Sequence, residues 1–530
     1  MAPALPPSAD YVIVGGGTSG LVLASRLSED PTASIVVVES GPDQTTNPEV
    51  RDPLVWRALS GSDLDWKPRT IPQEGLNNRT LDHPAGRVLG GSSTINGLVL
   101  TPPSPAGMDA WAKLGNPDWT WEVFKPYLQK SCTFPGKAAE GVIKTMEPTL
   151  VDGVNNTLAQ AWIDAHAEEG YEQATDFEGE QQTIGVRPFI ATIDPVTGMR
   201  SSADNTYGAV AGARPNVTIA TEATVRRILF SESGAITASG VEVDWKGSTV
   251  IVGALKEVIL AAGAFHTPKL LELSGVGDKE RLRSLGIPVV LHSPGVGESF
   301  QNHTMGIIPV PLKDNPDLAN VKPGIQALAF RQLDSDDIAE VLNQKQEWNG
   351  HEDIIKTLLQ SPKEASAYSL IGMMQNLAIV VVMLTFPFSR GSVHISSADP
   401  DAPTRIDPRL LSSDLDIEFL ARHVRDLRRL LSSPAFEPLI QSPREPAELA
   451  KLKTTLRESM ASTAHHACGT AAMLPKECGG VVDQDLKVYG TTNLRIVDAS
   501  VFPLIPHANP MATVYGVAER AADLIKGCCR

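Results

Sequence analysis

The first forty residues combine two apolar patterns that belong to different elements. Residues 11–14 (YVIV) and 35–38 (IVVV) are short apolar runs rich in β-branched residues, which is typical of buried strands. Residues 21–27 (LVLASRL) lie between them and have helical character, and the glycines at 15–17 join the first strand to this helix. The pattern predicts a strand, a glycine turn, a helix and a second strand in an α/β fold.

A longer apolar stretch, residues 371–388, is 18 residues long and uncharged. A membrane-spanning helix needs about 20 predominantly apolar residues. The stretch contains Gln375, Asn376 and Pro387, and its centre at residues 379–384 is β-branched and apolar. It therefore predicts a buried strand and no membrane span.

Two further patterns mark the rest of the chain. Residues 511–525 (MATVYGVAERAADLI) have the spacing of an amphipathic helix. Residues 314–365 are polar and charged, with helical runs, and residues 392–395 are a short strand-like run. No internal repeat or long linker interrupts these patterns.

Composition narrows the class of protein. A chain of 530 residues exceeds the size at which one hydrophobic core stops growing, so two or more domains are expected. The formal charge of −16, without a cluster of Lys or Arg, argues against nucleic-acid binding and against an anionic-membrane patch. Five cysteines without a C-x-x-C pair, and an N-terminus without an apolar signal segment, predict a cytoplasmic protein.

The glycine turn carries the first chemical signal. Gly15, Gly17 and Gly20 fit the G-x-G-x-x-G pattern, with Thr18 and Ser19 inside it, and Glu39 ends the second predicted strand. In this context the pattern is the fingerprint of dinucleotide binding. The glycines allow a tight turn and close approach to a pyrophosphate, and the acidic residue accepts hydrogen bonds from a ribose diol. The fingerprint does not distinguish FAD from NAD.

Two later glycine-containing segments identify the cofactor through a resemblance. They are residues 86–97 (GRVLGGSSTING) and residues 263–277 (GAFHTPKLLELSGVG), which we interpret as glycine-rich loops. With residues 389–393 and 497–500, they occur in an order that resembles the glucose–methanol–choline (GMC) oxidoreductase family of FAD flavoproteins. The resemblance extends from about residue 10 to residue 525 and is weaker in the middle.

The resemblance implies a set of FAD-binding residues. Gly90, Ser93 and Asn96 would lie near the pyrophosphate and the isoalloxazine, although Asn96 is also suited to capping a turn. Val225 would lie beside the adenine, or it is simply a core residue of a strand. The remaining expected contacts are Asp498, Ala499, Thr513 and Val514. Ile95 occupies the position at which some family members carry a flavin-linked histidine, so FAD is expected to be bound non-covalently.

The resemblance also indicates the reacting groups. Residues 465–470 (HHACGT) look like the family's H-x-x-G-T element, whose histidine is His466, and the second active-site position is Asn509. His465 is expected to be a packing or supporting residue, and Cys468 a small core residue. His507 is left open between a pocket residue and a structural one. No spacing of His, Cys and carboxylate residues indicates a metal site.

These observations give an α/β fold, α+β overall, of the GMC type. A Rossmann-like FAD-binding domain is expected in three segments, 8–105, 205–300 and 455–530. A discontinuous substrate-binding domain is expected at 150–204 and 305–454, on an antiparallel sheet that includes residues 379–384 and 392–395.

The expected reaction is oxidation of a small-molecule alcohol to an aldehyde or ketone. His466 would take the hydroxyl proton while hydride passes to flavin N5, and oxygen or another acceptor, left undetermined, would reoxidise the cofactor. The resemblance suggests an aromatic polyketide-like alcohol of fungal secondary metabolism. The alternative is a redox-neutral cyclase or lyase on the same FAD scaffold.

Overall fold

A computed structural model describes residues 5–134, 141–147, 156–174, 183–231, 234–319, 321–345, 347–441 and 448–528. The strands in these residues are β1 Ser8–Val14, β2 Ile35–Val38, β3 Gly185–Pro188, β4 Val217–Ala220, β5 Ala223–Phe230, β6 Ala238–Trp245, β7 Ser248–Leu260, β8 Val276–Gly277, β9 Leu291–His292, β10 Thr304–Pro311, β11 Gly324–Arg331, β12 Ala367–Met374, β13 Leu377–Leu384, β14 Ser392–His394, β15 Arg405–Asp407, β16 Ala461–Thr463 and β17 Leu494–Ile496.

The α-helices in the same residues are α1 Thr18–Leu27, α2 Pro48–Arg51, α3 Trp56–Leu59, α4 Ser92–Ile95, α5 Pro105–Lys113, α6 Trp121–Ser131, α7 Thr157–Glu168, α8 Ala209–Gly212, α9 Gly263–Leu273, α10 Lys279–Ser284, α11 Ser335–Leu342, α12 Gly350–Gln360, α13 Asp414–Leu430, α14 Leu449–Thr455 and α15 Met511–Lys526. Within the part of the chain that is described, no helix is both long and apolar enough to cross a bilayer.

The first sheet has seven strands in the order β4-β2-β1-β7-β6-β5, with β17 also paired to β7. Strands β4, β2, β1, β7 and β17 pair in parallel, and β5 and β6 extend the sheet antiparallel. The register aligns the last residues of β1, β2 and β7, which are Val14, Val38 and Leu260. Because the carboxyl ends of parallel strands meet at one edge, the segments that follow them converge there.

The second sheet is antiparallel and has six strands in the order β16-β10-β13-β12-β11-β3. Its central strands β12 and β13 form a hairpin with register Met374↔Leu377. The turn is at Gln375, whose φ of 53° lies in the left-handed region. This mixed molecule, with one largely parallel and one antiparallel sheet, confirms the predicted fold class.

The hairpin explains why residues 371–388 are so apolar. The sequence predicts one strand centred on residues 379–384, and the structure has that strand as β13 and a second one, β12, immediately before it. Both strands lie in the middle of the sheet, and α13 covers β13. Every residue of β13 is apolar and either buried or partly buried, so the run resembles a membrane segment in composition only.

Other local predictions differ from the structure. Residues 263–277 are not mainly a loop, because α9 occupies residues 263–273 and glycines with positive φ mark only its two ends, at 263 and 275. The predicted strand at 392–395 does not join the antiparallel sheet; it is β14, paired with β15 in a two-stranded sheet. The polar segment 314–365 contains β11 as well as helices.

The segment 455–530, assigned from sequence to the FAD-binding domain, contributes to both sheets. Its strand β17 pairs with β7 of the first sheet, and its strand β16 pairs with β10 of the second. Helix α15 packs against α1 and α6 and matches the predicted helix 511–525 to within one residue. The segment therefore connects the two sheets.

Candidate active site

His466 and Asn509 are brought together although they are 43 residues apart in sequence. His466 follows β16, and Asn509 lies two residues before α15. The distance between Asn509 Nδ2 and His466 Nε2 is 3.0 Å. The pairing predicted from two separate motifs is therefore a direct contact.

Two further residues hold this pair. The Tyr368 hydroxyl, on β12, donates to Asn509 Oδ1 at 3.0 Å. The backbone N–H of His466 donates to Asn302 Oδ1 at 2.9 Å, on the segment that leads into β10. The backbone of His466 and the amide of Asn509 are thus held by residues in or next to the antiparallel sheet, which the sequence analysis did not connect with the site.

His303 is a functional candidate that sequence reasoning missed. Its Nδ1 lies 2.8 Å from Nδ1 of His466, and the two rings are nearly perpendicular, at 89°. Its other nitrogen, Nε2, lies 3.0 Å from the Pro506 carbonyl oxygen and 3.2 Å from that of Thr385. The only sequence signal is a histidine just before an apolar strand, which does not distinguish a core residue from a site residue.

Burial sets the protonation of both rings. Desolvation lowers the pKa of His466 well below its ordinary value, and the neighbouring His303, His465 and His83 lower it further. Desolvation lowers the pKa of His303 to about 4, against two carbonyl contacts that raise it. Both imidazoles are therefore neutral at neutral pH, and a neutral imidazole can accept a proton.

The neighbouring histidine and cysteine lie as the sequence suggests. His465 packs its ring edge-on against His83, with 5.3 Å between ring centroids, and its φ of 64° is left-handed. Cys468 is fully buried in the main core. His465 thus supports the loop that carries His466.

An apolar cluster adjoins the pair. Phe330 stacks on Tyr368 with 5.1 Å between ring centroids, and His507 packs on Phe330 at 4.8 Å. The other buried members are Leu98, Val99, Phe189, Ala191, Ile193, Leu328, Ala365, Met383 and Ala508. His507 is 3% exposed, and within the described part of the chain neither of its ring nitrogens has a hydrogen-bond partner. A buried imidazole without partners is costly, and a ligand with a polar group would relieve that cost.

The predicted dinucleotide turn lies at the carboxyl edge of the parallel strands. Gly15 follows β1 with a φ of +105°, and a Cβ on Gly20 would lie 1.9 Å from the Gly15 carbonyl oxygen, so both positions require glycine. Glu39 follows β2, and its carboxylate accepts hydrogen bonds from the backbone N–H groups of Gly16 at 2.8 Å and Gly41 at 2.7 Å. Burial raises the pKa of Glu39 to about 7.

The residues at this edge fit a bound dinucleotide. A Cβ on Gly17 would meet protein only at Gly91 Cα, 3.7 Å away, so the position is open where phosphate is expected. The hydroxyls of Ser19 and Thr513, at the first turns of α1 and α15, are buried and have no hydrogen-bond partner among the described residues. Helix N-termini with unused donors suit an anionic ligand.

Most of the other residues predicted to contact FAD already form contacts within the protein. Asp498 accepts from Gly263 N at 3.0 Å and from the Thr267 hydroxyl at 2.6 Å, so its carboxylate is held by protein groups. Asn96 accepts from Leu98 N at 3.0 Å, which is the turn-capping alternative. Ser93 donates its hydroxyl hydrogen to the Gly90 carbonyl oxygen, Val225 is buried, and three further residues are partly buried: Thr18, Ala499 and Val514. Val225 lies on β5 opposite Val243, and both of its proposed roles stay open.

Comparison with known proteins identifies the family. A family model described as GMC oxidoreductase matches residues 9–305 with its N-terminal part and residues 387–518 with its C-terminal part. The chain is 32% identical to the GMC oxidoreductase family protein Mala s 12 of Malassezia sympodialis, over 98% of this chain and 93% of that one.

Solved structures agree with this match. An FAD-dependent oxidoreductase from Chaetomium thermophilum superposes with a TM-score of 0.89 at 28% identity, covering 98% of this chain and 99% of that one. A fungal aryl-alcohol oxidase superposes with a TM-score of 0.84 at 29% identity, covering 98% and 99%. The glycine turn at the carboxyl edge of the parallel strands is open to a ligand, and the matches cover nearly the whole chain. The chain therefore belongs to the GMC oxidoreductase family of FAD-dependent enzymes.

Proposed function

We propose that this protein oxidises an alcohol to an aldehyde or ketone, with His466 as the base that takes the hydroxyl proton. The observation that carries the proposal is the contact between His466 Nε2 and Asn509 Nδ2 at 3.0 Å. A neutral imidazole nitrogen beside an amide donor matches an alcohol oxygen, which donates one hydrogen bond and accepts another. The similarity to an aryl-alcohol oxidase supports the same class of donor.

FAD is proposed to bind non-covalently along the carboxyl edge of the first sheet. Gly15, Gly17 and Gly20 would admit the pyrophosphate, Glu39 would accept from the ribose, and Thr513 would meet the flavin at the start of α15. Ile95 has no nucleophilic atom, so it cannot form a bond to the flavin. When bound, FAD supplies the acceptor for the hydride that leaves the carbinol carbon.

The residues of this chain would handle the proton and the charge. The substrate hydroxyl would replace the direct contact between the two side chains, donating to His466 Nε2 while its oxygen accepts from Asn509 Nδ2. As the C–H bond breaks, the proton passes to His466 Nε2 and the Asn509 amide stabilises the negative charge that develops on oxygen. Tyr368 holds the amide in the orientation that presents Nδ2, because its hydroxyl occupies Oδ1.

The substrate is proposed to be largely apolar, and aromatic rather than a sugar. Support comes from the cluster around Phe330 and Tyr368, which adjoins the pair and consists of apolar and aromatic side chains. An aromatic polyketide-like alcohol with a polar ring substituent would also give the His507 imidazole a partner.

The test is anaerobic mixing of the FAD-loaded enzyme with a panel of benzylic, secondary aromatic and sugar alcohols. Loss of the flavin absorbance near 450 nm is expected with one of the aromatic alcohols, and the matched variant His466→Ala should slow it strongly. Admitting oxygen afterwards distinguishes an oxidase from a dehydrogenase that needs another acceptor. Conversion of a substrate without any loss of flavin colour would overturn alcohol oxidation in favour of redox-neutral cyclase or lyase chemistry.

A further inference from the structure

We propose that His303 is a positioning residue that fixes the tautomer of His466, so that the proton-accepting nitrogen is Nε2. The proposal rests on the role of His466 as the base. His303 would act through His466, to which it is joined by one hydrogen bond.

The argument begins at the far side of the His303 ring. Its Nε2 faces two backbone carbonyl oxygens, of Pro506 at 3.0 Å and Thr385 at 3.2 Å. A carbonyl oxygen can only accept a hydrogen bond, so Nε2 must carry the hydrogen. A neutral imidazole carries one N–H, and Nδ1 of His303 is therefore a bare acceptor.

The next contact follows from this assignment. Nδ1 of His303 and Nδ1 of His466 are 2.8 Å apart, which requires a hydrogen on one of them. Since His303 supplies the acceptor, His466 Nδ1 carries the hydrogen. His466 is neutral, so its Nε2 holds a free electron pair directed toward Asn509.

The same chain of hydrogen bonds orients the Asn509 amide. A bare His466 Nε2 requires a donor, and the Asn509 atom 3.0 Å away is Nδ2. The amide oxygen then accepts from the Tyr368 hydroxyl. Two backbone carbonyls, one after β13 and one before α15, thus determine which way every group from His303 to Tyr368 is directed.

Burial keeps this assembly uncharged. His303 is 1% exposed and His466 9% exposed. The ionisable groups that face them are His465 and His83 on the His466 side and His507 on the His303 side, and these are themselves buried or desolvated imidazoles. The neutral His303 ring therefore orients His466 without raising its pKa. A carboxylate in the same position would raise that pKa.

Three substitutions separate orientation from packing. His303→Asn keeps an acceptor oxygen near the position of Nδ1, His303→Leu removes it, and His303→Asp replaces it with a charged acceptor. The readout is the rate of anaerobic flavin reduction across pH, in FAD-loaded protein with a confirmed substrate. Loss of the partner that orients a metal-bound histidine typically costs about 10–100-fold in activity, and we expect a loss of that order for His303→Leu.

His303→Asn should retain a rate at least several-fold above that of His303→Leu. His303→Asp should move the acid limb of the pH profile to higher pH, because a carboxylate beside Nδ1 raises the pKa of His466. Equal losses in the Asn and Leu variants, with an unshifted profile in the Asp variant, would show a purely structural role and overturn the proposal.

A second measurement does not depend on turnover. Nitrogen NMR of histidine-labelled, FAD-loaded enzyme distinguishes N–H nitrogens from bare ones, and the expected result is a bare Nε2 and a protonated Nδ1 for His466. The signal is assigned with His466→Ala. A protonated Nε2 would overturn the tautomer assignment directly.

The matched control is His166→Asn. His166 is also fully buried and bonded to a backbone carbonyl, with its Nδ1 2.7 Å from the Trp162 oxygen in α7. This variant should keep the wild-type pH profile and the His466 nitrogen signals. Failure of the proposed base is recognised separately, because His466→Ala would then reduce flavin at the wild-type rate.

Discussion

Both ring nitrogens of His466 are engaged, by His303 on one side and Asn509 on the other. A histidine bonded in this way has a single orientation and a single tautomer, which is what a base needs before substrate arrives. Desolvation lowers the pKa of His466, so at neutral pH its Nε2 is unprotonated and accepts from Asn509 until a substrate hydroxyl takes that place.

Replacing His466 and Asn509, the two side chains proposed to react, should have graded effects. His466→Ala should lower the rate of flavin reduction by roughly 10²–10⁴, the usual contribution of a positioned base. Asn509→Ala should cost on the order of 10–10³, because it removes one hydrogen bond to the developing charge. The double variant should lose less than the sum of the two free energies, since both groups act on one oxygen. Anaerobic stopped-flow measurement of the four proteins tests this.

His465→Ala is the control for this series, since His465 packs on His83 and has no contact with Asn509 among the described hydrogen bonds. It should leave most of the rate and the bound FAD in place. If His465→Ala abolished reduction while His466→Ala did not, the base would be assigned to the wrong histidine.

Glu39 should matter for cofactor retention more than for the chemical step. Its carboxylate accepts from Gly16 and Gly41 at the end of β2, where it is proposed to bind the ribose of FAD. Glu39→Ala should lower the ratio of flavin to protein after dialysis, while the fraction that keeps FAD reduces at a near-normal rate. Full occupancy at low free FAD would argue against the ribose contact.

At the scale of elements, the decisive feature is where β1, β2 and β7 end. Their aligned carboxyl ends place the glycine turn, Glu39 and the start of α9 along one edge. Two glycines of this turn are needed for different physical reasons. Gly20 is required by the protein itself, whereas the space beside Gly17 is open to a ligand.

A matched pair of variants tests this distinction. Gly17→Ala adds a Cβ that fits the protein, with its nearest neighbour 3.7 Å away, so the apoprotein should unfold at the wild-type temperature but bind FAD much more weakly. Gly20→Ala places a Cβ 1.9 Å from the Gly15 carbonyl oxygen and should destabilise the apoprotein itself. Thermal unfolding without FAD, together with FAD titration, separates the two. Unchanged FAD affinity in Gly17→Ala would contradict the phosphate position.

At the scale of the whole molecule, the proposed FAD site is assembled from segments far apart in the chain. Gly17 and Gly91 approach each other closely, and α15 packs on α1 although nearly 500 residues separate them. The five domain segments predicted from sequence stay a prediction, and strand β16 shows that 455–530 serves both sheets.

FAD is expected to be released whole when the protein unfolds. Acid or heat precipitation should leave the yellow colour in the supernatant, because Ile95 has no atom that could link to the flavin. Added free FAD should raise the midpoint of thermal unfolding, since it binds the native state and not the unfolded chain. Flavin that stayed with the washed precipitate would contradict non-covalent binding.

Acid should destabilise the fold through its histidines. Desolvation lowers the pKa of nine of the eleven, with values of about 3 for His166 and His423 and about 4 for His303. The unfolded chain binds protons to these rings near pH 6.5 while the native state does not, so stability falls as pH drops from about 6.5 toward 4.

The pH dependence of the unfolding midpoint tests this. His394 has a raised pKa beside Glu272 and Glu298, and it acts in the opposite direction. In His166→Asn the acid-side slope should be shallower than in wild type. A midpoint independent of pH over this range would contradict neutral buried histidines.

The sequence by itself determined what local pattern can encode. Apolar periodicity and a glycine spacing sufficed for the β1–α1–β2 unit and Glu39, and the C-terminal helix was correct to within a residue. Two motifs, read through the family resemblance, identified His466 and Asn509. Local sequence was less informative where burial is set by distant neighbours, as with the β12–β13 hairpin, the strand β11, and β14, whose partner is β15.

Only the tertiary structure decided how the site is held. His303 lies 163 residues before His466, and the carbonyl oxygens that hold its ring belong to Thr385 and Pro506. No spacing encodes such a contact, because backbone carbonyls are the same at every position and only the packing of β10, β13 and the segment before α15 brings two of them to one nitrogen. Local sequence therefore supplied the two residues proposed to react, and long-range packing supplied the partners that are proposed to fix their hydrogens.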